Sequence, residues 1–293
     1  REKNKIMLNA SAATSDLTDS QCSPNTIQWS FDTYMEARSQ GGAVVKLGFK
    51  KWFFITADYV FGHILEEQGA AVVKAAGGSV LGNIRYPFPS TTDFSSFLEQ
   101  ARASGAQVLG LANAGLDTVN CIKQAHEFGL GKTMKIAPLL MFITDVHSIG
   151  LELGQGLNVT TTFYWNYNDR TRAFTKRVLP HLVNSAYPNM AHASSYAITL
   201  HYLKTVAAMG AANALKSGAA TVARMKGIPT DDDAFGKGSI RSDGRGAFPA
   251  YLWRVKKPSE SKMPWDVFDL QAVTPAAGVL HPLNPKCRFP VTT

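Results

Sequence analysis

Lys5–Thr18, KIMLNASAATSDLT, decides how the rest of the chain is read. The apolar run Ile6-Met7-Leu8 stops at Asn9 and gives way to a loop of small residues, Ala10-Ser11-Ala12-Ala13-Thr14. Ser15-Asp16-Leu17-Thr18 follows and can open a helical turn. A strand that ends in small residues before a helix N-terminus lets a ligand approach backbone N–H groups, and the Ser11 and Thr14 hydroxyls add donors, which is the arrangement of an anion site. A tight turn packed against a neighbour uses the same residues, so the loop alone leaves both readings open. What tips the reading is that the strand–loop–helix plan recurs along the chain.

From Lys5 to Leu140 short apolar runs alternate with amphipathic stretches. Trp52–Thr56 (WFFIT) is predicted as a strand, and Phe61–Ala76 as a helix stopped by Gly77-Gly78. Val80–Tyr86 is the next strand, then a helix over Phe94–Ala103 capped by Thr92-Asp93 and ended by Gly105. Val108–Ala112 and Met134–Leu140 are strands flanking a helix over Thr118–Phe128. Strands separated by helices of this length predict a parallel sheet with right-handed crossovers. After Gly156 the texture changes: a Thr-rich strand over Asn158–Tyr164, helices over Asp169–Val178, Ser194–Met209 and Ala211–Met225, a turn at Asp243-Gly244, and strands over Ala250–Lys256 and Val267–Val273. Arg1-Glu2-Lys3-Asn4 reads as the end of a helix entering a strand, so an earlier portion of the first lobe is expected ahead of it.

A chain of 293 residues is long for one core, and two lobes are the natural expectation. The net charge of +8 comes from basic residues spread along the chain, without an RNA- or DNA-binding pattern around Lys50-Lys51 or Arg254–Lys257, so no nucleic-acid partner is expected. None of the seven histidines forms HxxxH or HExxH and none of the three cysteines lies in a CxxC, so no metal is expected. Gly129-Leu130-Gly131-Lys132-Thr133 lacks the first P-loop glycine, which is His126, and fits a helix C-cap better. No cofactor motif is present. Cys22 and Cys287 lie in Pro-containing loops while Cys121 lies on a predicted helix, so a long-range Cys22–Cys287 disulfide is expected, with the oxidising compartment it implies.

The loops after the strands, Asn9–Thr14, Ala57–Gly62, Ala112–Gly115 and Pro138–Phe142, sit at the carboxyl edges where open α/β sheets bind ligands. They carry aromatic rings, small residues, amides and hydroxyls, and no paired acid and base at reactive spacing. The chemistry is that of a binder and not of an enzyme.

LNASAATSDLT, CSPNTIQWSFDTY, FITADYVFGHILE and LGLANAGLDTVNCIKQAHEFGL resemble, in that order, the periplasmic solute-binding proteins of ABC importers, of the branched-chain amino-acid-binding type. FYWNYNDRTRAFTKR and PLNPKC fit a subgroup, so the resemblance covers essentially the whole chain. It implies the type I fold: an α/β protein of two Rossmann-like lobes with parallel sheets, joined by three crossover strands near Phe31–Thr33, Phe163–Trp165 and Phe248–Tyr251 and closing on a ligand. Residues 1–31 and 164–250 would form an incomplete N-lobe, and 32–163 and 251–293 the C-lobe plus the C-terminal tail. By the same resemblance the Ala12 backbone and the Thr14 hydroxyl hold a ligand carboxylate, and the Ser11 hydroxyl of the same loop is expected to join them. Asp58, Tyr59 and Phe61 belong to a loop that closes an aromatic on the ligand, and Trp165 adds a wall. Beside Asn113 amino-acid binders carry a tyrosine where this chain has Ala114, and Leu139 stands where they carry a glutamate for the ammonium group. A buried ammonium without a carboxylate is costly, so a small carboxylate, an aromatic or keto acid, is expected in preference to an amino acid. The implied setting is a periplasmic or membrane-anchored extracytoplasmic monomer that hands a small organic acid to ABC permease subunits. A ligand-sensing regulator or receptor domain of the same fold is the alternative.

Overall fold

The structure is a computed structural model that describes residues 2–292; Arg1, the first residue of the expected helix end, lies outside them. The chain opens with β1 (Met7–Asn9) and β2 (Thr26–Gln28), then α1 (Thr33–Glu36), a π-turn over Ala37–Gly41 and α2 (Gly42–Lys46). A regular alternation follows: β3 (Lys51–Ala57), α3 (Val60–Ala75), β4 (Ser79–Tyr86), α4 (Ser95–Ala103), β5 (Val108–Ala112), α5 (Leu116–Glu127), β6 (Lys135–Pro138), α6 (Ile143–Gly154) and β7 (Asn158–Thr161). Helices α7 (Asp169–Val178), α8 (Met190–Met209), α9 (Ala211–Lys216) and α10 (Gly218–Gly227) lead to β8 (Thr230–Asp232), β9 (Gly236–Ile240), β10 (Gly246–Ala247), β11 (Ala250–Val255), β12 (Phe268–Thr274) and α11 (Ala276–Val279).

Contacts divide the chain into two units, the first made of residues 1–32, 162–249 and 275–293, the second of 33–161 and 250–274. The chain passes between them at 32/33, 161/162, 249/250 and 274/275. The first three points fall at or within two residues of the expected crossovers. The fourth takes the tail, placed with the C-lobe in the sequence reading, into the first unit. Its attachments explain this. Cys287 is disulfide-bonded to Cys22, Asn284 Nδ2 donates to Asp19 Oδ1 at 2.7 Å, and the His281 ring meets the Thr18 hydroxyl at 2.9 Å.

The second unit is built on a parallel sheet in the order β4-β3-β5-β6. Its central strand, KWFFITA, is apolar and buried from Trp52 to Ala57, as a strand covered on both faces requires. Phe53 stands opposite Gly82 of β4 and Phe54 opposite Gly110 of β5. A Cβ on those glycines would lie 2.8 Å and 2.6 Å from the two rings, so the glycines make room for the aromatics. A smaller antiparallel sheet, β12-β11-β7, is pinned by Trp253 Nε1 donating to Thr161 Oγ1 at 2.8 Å.

In the first unit β1 and β2 run parallel and β8, β9 and β10 form an antiparallel sheet, with the Asp243-Gly244 turn between β9 and β10. Ile27, Trp29, Ile198, Val222, Met225 and Phe248 form its core. Arg245 is also buried there. Its Nε donates to Asp32 Oδ2 at 2.6 Å and its terminal nitrogens to the carbonyls of Trp29, Ser30 and Gly246.

Local chemistry moves several predicted boundaries. Helix α8 begins at Met190, four residues early, because Asn189 Oδ1 accepts from the amides of Ala191 and His192. The helix expected over Ala211–Met225 is two, broken at Ser217, whose hydroxyl accepts from Ala220 N and starts α10. Between the Pro138–Phe142 loop and Gly156, where the sequence reading places no element, lies α6, with Ile143, Val146 and Ile149 buried along one face.

Candidate binding site

In the first unit the small-residue loop is shaped by Asn9. Its Oδ1 accepts from Ala12 N at 2.9 Å and Ser11 N at 3.3 Å, and its Nδ2 donates to Ala12 O at 2.7 Å. The Ala12 amide, expected as a carboxylate donor, is therefore engaged by a side chain three residues away. Thr14 Oγ1 accepts from Asp16 N at 3.3 Å and caps the short helix over Ser15–Thr18. Gln28 Nε2 donates to Thr14 O at 3.1 Å and holds the loop's far end. Ser11 and Ala12 are exposed and Thr14 partly so. Trp165 is buried, its ring edge-on to Tyr187 at 4.8 Å, so it supports this unit from within.

In the second unit four loops leave the carboxyl ends of β3, β4, β5 and β6. After β3 the backbone turns tightly: Tyr59 N donates to Ala57 O at 2.8 Å and Asp58 N to Tyr86 O at 3.0 Å. Helix α3 starts against this turn, and a Cβ on Gly62 would fall 2.1 Å from Ala57 O. The Asp58 carboxylate meets His63 Nε2 at 2.7 Å. The Tyr59 ring is stacked on Phe88, from the loop after β4, with centroids 4.4 Å apart and planes at 15°, and is tilted against Phe61 at 5.7 Å. Tyr59 and Phe88 are 39% and 43% exposed, unusual for two stacked aromatics in a folded domain. At the end of β4 the buried Tyr86 donates its hydroxyl to Asp117 Oδ2 at 2.6 Å. Burial first, and then that bond and the charge of Asp117, push the Tyr86 phenol far above its usual range. Tyr59 is raised by burial and by the same charge.

The other expected residues of this unit lie deeper. Asn113 is buried, accepting from Thr118 Oγ1 at 2.7 Å, which fixes the start of α5 and leaves Ala114 partly exposed. Leu139, which stands where amino-acid binders carry a glutamate, is buried under α3, where a Cβ on Gly69 would lie 3.1 Å from its Cδ1. In the first turn of α6, Asp145 Oδ2 accepts from Phe142 N at 2.9 Å, and burial lifts its carboxyl to about 6. Sequence reasoning missed Phe88, Tyr86 and Asp117. The signal was available: Pro87-Phe88-Pro89 follows β4 as Asp58-Tyr59 follows β3, and the loop after that strand was passed over.

No group of three or more His, Cys, Asp or Glu among the described residues could hold a metal ion, and no helix among them is long and apolar enough to cross a membrane.

Residues 1–261 match the family profile described as Periplasmic binding protein. A periplasmic binding protein from Burkholderia mallei is 48% identical, with a TM-score of 0.90 over 96% of this chain and 72% of that chain. A branched chain amino acid ABC transporter periplasmic ligand-binding protein from Burkholderia xenovorans LB400 is 34% identical, with a TM-score of 0.79 over 96% of this chain and 74% of that chain. A solute binding protein of an ABC transporter from R. palustris, in complex with 4-hydroxybenzoate, shares the fold at 22% identity, with a TM-score of 0.80 over 95% of this chain and 75% of that chain. Among curated relatives, Leu/Ile/Val-binding protein homolog 6 of Brucella melitensis is 28% identical over 173 residues, 56% of this chain and 42% of that protein. The chain thus spans less than half the length of the curated relatives it matches.

Proposed function

We propose a function on one premise: the chain belongs to the periplasmic binding protein family, a family of solute-binding proteins and not of enzymes. We infer that it captures a small aromatic carboxylate outside the cytoplasm and delivers it to the membrane subunits of an ABC importer. The observation that carries the reading is the exposed Tyr59–Phe88 stack at the carboxyl edge of the parallel sheet, where α/β sheets take their ligands. A flat aromatic pair open to solvent favours a planar ring over a branched aliphatic chain, because ring-on-ring contact adds to the burial of apolar area. The 4-hydroxybenzoate complex of a protein with the same fold is consistent with an aromatic acid fitting such a scaffold. The Cys22–Cys287 disulfide fits an oxidising, extracytoplasmic setting.

Calorimetry on the full-length protein tests the ligand class. Benzoate-type acids and phenylpyruvate are expected to bind more tightly than leucine or valine. Phe88→Ala is expected to weaken the ring-bearing acids by about 1–2 kcal/mol, the range for one aromatic contact with its buried area. Tight binding of leucine or valine, with no response to the amino-free acids, would overturn the ligand class.

A further inference from the structure

Asp117 holds a position that the aromatic platform by itself does not explain. It lies in the first turn of α5, directly after Gly115, whose φ of 61° turns the chain at the end of β5. One carboxylate oxygen, Oδ2, accepts from the Tyr86 hydroxyl at 2.6 Å. The other, Oδ1, accepts no hydrogen bond among the described residues, and no Lys, Arg or His among them pairs with the side chain. Asp117 is partly exposed, and the Tyr86 it bonds accepts through its carbonyl from Asp58 N, the residue before Tyr59, and stands two residues before Phe88. An acidic residue in a helix's first turn is common and is favoured by the helix dipole. That role needs neither a buried tyrosine to orient the carboxylate nor a place beside two exposed stacked rings. The Tyr86 hydroxyl donates to Oδ2 and leaves the acceptor capacity of Oδ1 unused.

We propose that Asp117 is the specificity-determining residue of this surface: Oδ1 accepts a hydrogen bond from a hydroxyl on the ligand's ring, so that hydroxylated aromatic acids are preferred to unsubstituted ones. The inference rests on the aromatic-acid reading above and sharpens it. An ionised acceptor makes a stronger bond to a phenolic hydroxyl than a neutral one would. The same charge disfavours a ring carrying a second carboxylate, which places two anions close together in a partly dry site. Tyr86 acts through Asp117 as a positioning residue.

The test is calorimetry on the full-length protein with benzoate, 3-hydroxybenzoate, 4-hydroxybenzoate and terephthalate, repeated on Asp117→Ala, Asp117→Asn and Tyr86→Phe. At least one hydroxybenzoate is expected to bind the unaltered protein about tenfold more tightly than benzoate, the size of one hydrogen bond to a charged group. That ratio should fall toward one in Asp117→Ala and partway in Tyr86→Phe, while Asp117→Asn should narrow the gap between benzoate and terephthalate. Thermal melts establish that each variant is folded, and the comparison of ligands on the unaltered protein decides even if a variant is not. Equal binding of benzoate and both hydroxybenzoates, or a preference that survives Asp117→Ala, overturns the role of Asp117 and leaves the aromatic-acid reading standing. Binding of leucine or valine with no ring acid bound overturns both.

Discussion

Taking the guanidinium of Arg245 out of water is costly, and the first unit offsets the cost with the Asp32 carboxylate and three backbone carbonyls. Asp32→Ala removes the carboxylate and leaves the cation buried, so it is expected to destabilise by about 3–5 kcal/mol in chemical denaturation, whereas loss of an exposed pair such as Arg172–Asp169 should cost under about 1 kcal/mol. Asp145 makes a second residue-level prediction. Its folded carboxyl sits near 6, above its ordinary value, so the folded state binds a proton that the unfolded chain releases. Stability from this group is full below about pH 4 and is lost as pH rises through about 6. Compared with Asp145→Asn, the unaltered protein should gain about 1–3 kcal/mol between pH 7 and pH 4, and the comparison cancels the opposing contribution of buried histidines such as His201. No shift in that difference would count against the burial of Asp145. Neither role was legible in the sequence. Arg245 stands in a turn-like SDGRG, and its partners, the Trp29 and Ser30 carbonyls and Asp32, lie more than two hundred positions away.

Elements were more legible than residues. The alternation that predicted a parallel sheet in the second unit rests on periodicity, which survives small errors at either end, and β3, β4, β5 and β6 all lie where the apolar runs put them. Boundaries failed where one side chain decides them, as at Asn189 and Ser217. Helix α6 was missed because its buried face follows an apolar strand and loop without a polar break. The packing of α3 against β3 gives a prediction at this scale. Gly62→Ala forces a methyl to within 2.1 Å of the Ala57 carbonyl and is expected to cost about 1–3 kcal/mol, displacing the Tyr59 turn with it. Gly41→Ala, whose Cβ would meet Val72 at an ordinary 3.6 Å in a helical backbone, should be neutral or stabilising by up to about 1 kcal/mol. Equal melting shifts for the two would show that α3 has slack at its first turn.

At the scale of the whole molecule, contacts divide the chain into two units, and the place of the tail in the first of them does not follow from any pattern in its sequence. Residues 275–292 have little regular structure, and what fixes them is a few specific bonds to Asp19, Thr18 and Cys22. Removing the disulfide by Cys22→Ala with Cys287→Ala releases a loop constraint spanning a separation of 265 residues and is expected to lower stability by about 3–5 kcal/mol. A calorimetric melt that is unchanged by the double substitution would show that the tail's polar bonds suffice. The bridge also makes most of the polypeptide a covalent ring, because it joins position 22 to position 287 around both units. One protease cut anywhere inside that ring opens it without dividing it. A molecule nicked between its units would therefore run as a single species on a denaturing gel and fall into two pieces only after a reductant is added. Damage to one interdomain strand is invisible until the thiols are freed.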